Sequence, residues 1–190
     1  KKRVRQSARM LVDAFAEHWP YAWPDFDSAL REVEESLEPD RICRVAVDAG
    51  GTVVGWIGAI REYQGHTWQL HPLLVRPDRQ RLGIGRALVA DLEEQVRAEG
   101  GSNIYLGTDD TDGMTSLAGV DLYQDLPAHL ANVRDLRGHP FRFYQKVGFA
   151  VVGVIPEANG PGKPDIMMAK RISPTPAGRE PQSSRRRAAV

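Results

Sequence analysis

Apolar positions along the chain recur at two periods. In ARMLVDAFAEHW, Met10, Leu11, Ala14 and Phe15 fall at helical spacing, continued by His18 or Trp19, and Pro20 stops the pattern; this predicts a helix over residues 8–19. The aromatic and proline-rich loop WPYAWPDF leads into a second amphipathic stretch, 26–37. Two β-branched runs in ICRVAVDAGGTVVGWIGAI, parted by Asp48-Ala49-Gly50-Gly51, predict a hairpin, and a third strand follows over 67–75. From 83 to 99, Ile84, Leu88, Leu92 and Val96 repeat every fourth residue, and Gly100-Gly101 closes that helix. NIYLGT is a strand after it, and the strand, helix, strand order implies a parallel pair with a right-handed crossover.

Residues 109–138 form an insertion of mixed character, helical in part after Pro127. HPFRFYQKVGF predicts a short helix ended by Gly148, and AVVGVIP and DIMMAKRI are two last strands joined by EANGPGKP. Beyond Ile172 the chain is rich in Pro, Ser and Arg and lacks periodicity. The expectation is one domain over 1–172 and a disordered basic tail over 173–190, with no internal repeat. A chain of 190 residues, 42% hydrophobic, can bury one substantial core.

Charge changes the picture locally. The net charge is zero, yet KKRVR carries +4 and the last eighteen residues +3, which leaves the body at −7. The short basic ends have no basic face in the body to support them, so nucleic acid is not an expected partner. No apolar stretch reaches the roughly 18 residues of a membrane span, and the N-terminus lacks the apolar core of a signal peptide. A lone Cys43 cannot form an intramolecular disulfide and reads as a small buried hydrophobe. Together these suggest a cytoplasmic protein.

The chemistry concentrates in HPLLVRPDRQRLGIGRALVADL. A strand, a glycine-containing turn and a helix start leave several backbone N–H groups unpaired, with a helix dipole behind them. Gly83 and Gly85 would let a phosphate approach the backbone, and Arg76, Arg79, Arg81 and Arg86 add charge. The loop has no Walker Lys-Ser/Thr, and Leu88 replaces the third glycine of a dinucleotide fingerprint. Pro72 inside a strand removes a ladder donor and favours a bulge or splay, where an extended, amide-bearing ligand could pair. Phosphates at one end and amides along an arm describe coenzyme A.

The Q-x-x-G-x-G of Gln80 to Gly85 resembles the pyrophosphate loop of the GNAT acetyltransferases. WQLHPLLVRPDRQRLGIG, IYLGTDD, HPFRFYQKVGF and ANGPGKPDIMMAK together resemble the aminoglycoside 6'-N-acetyltransferases, in order and from about Trp19 to Ile172. The resemblance implies a mixed α/β (α+β) fold: a mostly antiparallel sheet with a splayed parallel pair at its centre and flanking helices. It implies acetyl-CoA as co-substrate, no metal, and a homodimer as an open possibility. Cofactor contacts would come from Leu74, Val75, Gln80, Arg81, Leu82, Gly83, Ile84, Gly85, Arg86 and Tyr144. Backbone amides near His71 and Leu73 would hold the thioester oxygen, and Tyr144 would stand near the sulfur as a proton donor, protonated at neutral pH. Relatives carry glutamate after the strand tryptophan; this chain has Gln69, which is no base. Gln69 then positions water or substrate while another group takes the proton, or the amine arrives neutral, or activity is impaired. His71 is a base by chemistry and a structural histidine by position.

For the acceptor, residues 98–133 hold no Lys or Arg and six carboxylates: Glu99, Asp109, Asp110, Asp112, Asp121 and Asp125. A charge pair at 4 Å is worth roughly 1 kcal/mol in water and about 4 at an effective dielectric of 20, so several carboxylates suit a polycation such as an aminoglycoside. Asp109, Asp110 and Asp165 are expected to touch substrate, with Trp19 and Trp23 bordering the sugar site by resemblance. Acetylation of another polyamine or a protein amine, or acyl-CoA sensing with little turnover, remain the alternatives.

Overall fold

The computed structural model describes residues 1–16 and 22–173. Its elements follow as α1 (Lys2–Phe15), α2 (Phe26–Glu35), β1 (Arg41–Val47), β2 (Val53–Glu62), β3 (Thr67–Val75), α3 (Ile84–Ala98), β4 (Asn103–Asp109), α4 (Leu126–Ala131), α5 (Phe141–Lys146), β5 (Ala150–Ile155) and β6 (Asp165–Arg171). Six strands form one sheet in the order β1-β2-β3-β4-β6-β5. All neighbours are antiparallel except β3 and β4, whose parallel pairing is confined to Thr67↔Asn103, Trp68↔Ile104 and Gln69↔Tyr105. Beyond Gln69 the two strands part, as the sequence led us to expect.

Two apolar clusters cover the sheet. One joins Leu88, Val89, Leu92 and Val96 of α3 to Trp68, Leu70, Ile104, Leu106, Ile166 and Met168, with Phe141 and Phe149 beside them. The other packs Ala8 and Leu11 of α1 and Ala29 and Val33 of α2 on Val53, Trp56 and Leu74. Side chains such as Leu92, Ile104 and Phe141 are almost fully buried, each worth about 1.5–3 kcal/mol against exposure.

Helix α1 starts six residues earlier than its apolar spacing alone indicated. Val4, Ala8, Leu11 and Phe15 line its inner side, and Arg5 and Arg9 lie over the Phe26 ring at 5.0 and 5.2 Å. The basic residues therefore decorate a helix rather than a loose end. Helix α2 is fixed by a capping box: Asp25 accepts the Ser28 N–H at 2.8 Å and Ser28 Oγ accepts the Asp25 N–H. The β1–β2 hairpin turns on Asp48, whose Oδ1 accepts from Gly50 and Thr52.

Strand β3 carries the deformation that matters for function. Ile57 pairs with Leu73 and Ala59 with Leu70, so Gly58 alone opposes both His71 and Pro72. The extra residue reverses the alternation of side chains. Before the bulge Trp68 and Leu70 face α3; after it Leu73 and Val75 do, while Leu74 joins the α1–α2 cluster.

Candidate active site

A cleft of about 600 Å³ opens where β3 and β4 separate, lined by Leu73, Val75, Gln80, Arg81, Gly83, Gly85, Arg86, Pro140, Phe143 and Tyr144. Its floor is the loop between β3 and α3. Arg81 (φ 61°) and Gly83 (φ 87°) both take left-handed backbone, which turns successive amides toward one side. The Ala87 N–H is the first to close the helical ladder, on the Gly83 carbonyl at 3.0 Å, so the amides of Ile84, Gly85 and Arg86 keep no intrahelical acceptor. Gln80 folds back to donate from Nε2 to the Val75 carbonyl at 3.1 Å, tying the loop to the strand end. The site fits a pyrophosphate and its arm: amides and two arginines at one end, parted strand edges along the other.

Four arginines were expected around this loop, and the structure divides them. Arg81 and Arg86 line the cleft. Arg76 instead makes a two-pronged pair with Asp78 at 3.0 and 2.9 Å, and Arg79 reaches the same carboxylate at 3.5 Å. Leu82 projects into solvent and Leu74 into the core on the opposite face, and neither lines the cleft. Ile84 packs near Gly55 as a core contact. Gly85 serves packing too: a β-carbon there would stand 3.3 Å from the Phe143 ring.

Tyr144 reaches the cleft from α5, whose start is pinned to the end of β4. Buried His139 accepts the Phe141 N–H on Nδ1 at 3.2 Å, which leaves Nε2–H to donate to the Asp109 carbonyl at 2.9 Å. Phe143 and Phe149 pack edge-on against the Tyr144 ring at 5.2 and 5.7 Å. Burial pushes the Tyr144 hydroxyl above the ordinary tyrosine range, so it stays protonated.

The opposite face of the parting strands gathers the other expected residues. Gln69 stands opposite Tyr105, and the two-residue alternation of β4 places Tyr105, Gly107 and Asp109 on the same side, with Asp165 of β6 directly opposite Asp109. Gly107 and Asp109 are exposed on this face. His71 faces the same way: its ring lies 6.1 Å from that of Trp23, its Nε2 3.8 Å from Glu32, and burial lowers its pKa, keeping it neutral. Trp23 itself packs edge-on against Phe15 at 4.7 Å. Trp19 lies outside the described residues.

One expected substrate contact is overturned. Asp110 is 1% exposed, and its two oxygens accept the N–H groups of Met114 and Thr115 at 2.6 and 2.7 Å. Its carboxylate folds the start of the insertion and has no face toward a ligand. Asp109 does face outward, its Oδ1 accepting from Asn159 at 2.5 Å. Glu62, which the sequence did not single out, reaches across β3 to accept the Tyr105 hydroxyl at 2.7 Å. Among the described residues, no group of three or more His, Cys, Asp or Glu is placed to hold a metal ion, and no helix is long and apolar enough to cross a membrane.

A mixed sheet that splits between its two parallel strands above a helix start defines a GNAT acetyltransferase, and the chain belongs to that family: the family model "Acetyltransferase (GNAT) family" matches residues 8–124. More particularly, it is 43% identical to an aminoglycoside 6'-N-acetyltransferase crystallised with coenzyme A, covering 92% of this chain and 93% of that one with a TM-score of 0.84. The aminoglycoside 6'-N-acetyltransferase of Enterococcus faecium is likewise 43% identical over the same shares, TM-score 0.83. An aminoglycoside 6'-acetyltransferase type Ii is 38% identical over 92% and 93%, TM-score 0.70. No curated protein matches the chain.

Proposed function

We propose that the protein transfers the acetyl group of acetyl-CoA to the 6'-amine of aminoglycosides. The observation that carries this reading is the 43% identity, over 92% of the chain, with an aminoglycoside 6'-N-acetyltransferase crystallised with coenzyme A. The cleft geometry supports it. Acetyl-CoA supplies an activated acyl carbon as its thioester. The amides at the start of α3, with Arg81 and Arg86, hold the pyrophosphate. The edge of β3 near His71 and Leu73 presents backbone donors to the carbonyl oxygen, Pro72 having none to give. Tyr144 holds a proton for the sulfur.

The open face suits a polycationic acceptor. Asp109, Asp165 and Glu62 lie on one side of the sheet beside the parting strands, and a sugar ring could rest against Trp23. Gln69 there orients the amine or a water. We place the enzyme in the cytoplasm, as a drug-resistance protein that works as a homodimer; its lone cysteine suits a reducing compartment.

Thiol release from acetyl-CoA with kanamycin tests the function, comparing the native chain with Gln69→Glu and Tyr144→Phe. Turnover with kanamycin, reduced in Tyr144→Phe, is expected. Fast turnover with spermidine and a flat background with every aminoglycoside would overturn the assignment of substrate.

A further inference from the structure

An amine acetyltransferase must take a proton from its acceptor, and the side chain after the strand tryptophan, Gln69, has no lone pair basic enough to do so. We propose that Asp165 is the proton acceptor for the attacking amine. The inference rests on the reading of the chain as an amine acetyltransferase and assigns that site its base.

Position is the first support. The parallel register ends at Gln69↔Tyr105, and Gly107 is the next residue of β4 on the same face, just past the point where the strands part. The Asp165 carboxylate lies over Gly107, close enough that a β-carbon there would collide with Oδ2 and stand 2.8 Å from Oδ1. Any side chain at 107 would thus displace the carboxylate, and the absence of one lets it lean from β6 toward the parting strands.

The second support is an unmet polar group. Asp165 Oδ1 is buried and has no hydrogen-bond partner among the described residues, whereas buried carboxylate oxygens nearly always find one. Its surroundings explain its basicity. Burial and the facing Asp109 raise its pKa to about 6, against the weaker opposite pull of the Thr108 backbone; the β5 residue opposite, Ile155, is apolar. At neutral pH it is ionised, yet far more basic than a free carboxylate.

The rivals fit less well. The Glu62 carboxylate already accepts the Tyr105 hydroxyl, and the partners of both strands place it level with Thr67 to Gln69, short of the splay. His71 points its Nε2 toward Glu32, 3.8 Å away, with its ring 6.1 Å from that of Trp23.

An acceptor arriving as ammonium sheds two protons on becoming an amide. The first passes to the Asp165 carboxylate and frees the lone pair that forms the C–N bond as the C–S bond breaks. The loss of the second is matched by the proton the sulfur takes up, and Asp165 returns its own to solvent, so one proton is released per turnover.

The test compares native protein, Asp165→Asn, Glu62→Gln and His71→Gln. Asp165→Asn should lower kcat by about 100-fold or more at neutral pH while coenzyme A affinity stays within about twofold. It should also flatten the rise of kcat/KM that centres near pH 6 in the native enzyme. Apart from turnover, isotope-edited NMR of aspartate carboxyl carbons should show one group titrating near pH 6 that is missing from Asp165→Asn. The proposal is overturned by a kcat retained within about threefold, by a loss confined to KM, by titration of Asp165 near the ordinary aspartate value of about 4, or by an acid limb that vanishes in Glu62→Gln or His71→Gln instead. Native turnover of spermidine alone would remove the aminoglycoside assignment and leave Asp165 to be judged on spermidine; a native chain that acetylates no amine would overturn both.

Discussion

Gly58 and His71 face each other across the β2–β3 bulge so closely that a β-carbon on Gly58 would stand 2.5 Å from the His71 carbonyl oxygen. Both partners are backbone or nearly so, and neither can swing aside. Gly58→Ala should therefore cost about 1–3 kcal/mol and, because the bulge sets the wall of the cleft, weaken coenzyme A binding as well. Denaturant midpoints and a coenzyme A titration measure the two effects; an alanine variant with unchanged affinity would show the bulge to be irrelevant to the cleft.

The two glycines of the loop should behave differently. Gly83 sits at φ 87° with nothing within 4 Å of a built β-carbon, so alanine there meets no clash and pays only for left-handed backbone, about 1–2 kcal/mol. Gly85 has ordinary backbone, and a β-carbon there would stand 3.3 Å from a Phe143 ring that must shift by tenths of an ångström; against this stands a helix gain for alanine that is at most the roughly 0.5–1 kcal/mol of a helix interior, since Gly85 is only the second residue of α3. Gly83→Ala should lower the melting temperature and Gly85→Ala leave it nearly unchanged.

Asp165 should burden the fold at neutral pH. Its folded pKa of about 6 lies above the ordinary aspartate value of 3.8, so the folded state binds more protons between these values and stability falls as pH rises through them. Asp165→Asn should be more stable than the native chain above pH 6, by about 1 kcal/mol after allowing for its partial exposure, and the gap should close toward pH 4. Thermal melts at both ends of this range decide it.

Asp110→Asn replaces one of two acceptors with an amide that can only donate, facing the Met114 or Thr115 N–H. The expected cost is about 1–3 kcal/mol, concentrated in the insertion. Limited proteolysis should cut faster within 112–138, while coenzyme A binding, which uses none of these residues, holds.

The contrast between Asp109 and Asp110 illustrates what was legible in the sequence. Strand spans followed from the pattern of apolar and β-branched runs, the hairpin from the turn residues Asp48 to Gly51, and the parallel pair from the strand, helix, strand order. The two neighbouring aspartates looked alike as strand-end carboxylates, yet Asp109, the last residue of β4, is exposed, while Asp110, the first beyond it, is buried by the turn whose Met114 and Thr115 amides its carboxylate accepts. Glu62 escaped notice for another reason. Its meeting with Tyr105 depends on strand order, since the two lie 43 residues apart on either side of β3. The pairing of Arg76 with Asp78, by contrast, was available from a spacing of two.

The phase reversal in β3 has a consequence for how its side chains divide their labour. Before the bulge, odd-numbered Gln69 and His71 look onto the acidic face; after it, odd-numbered Leu73 and Val75 line the cleft. One strand thereby presents side chains to both faces of the sheet, and a parity rule along the chain tells which face a substitution will disturb. Deleting His71 or Pro72 would erase the bulge and restore one-to-one pairing opposite Gly58, leaving Leu73 and Val75 on the cleft side but removing the extra residue that loosens this edge of β3.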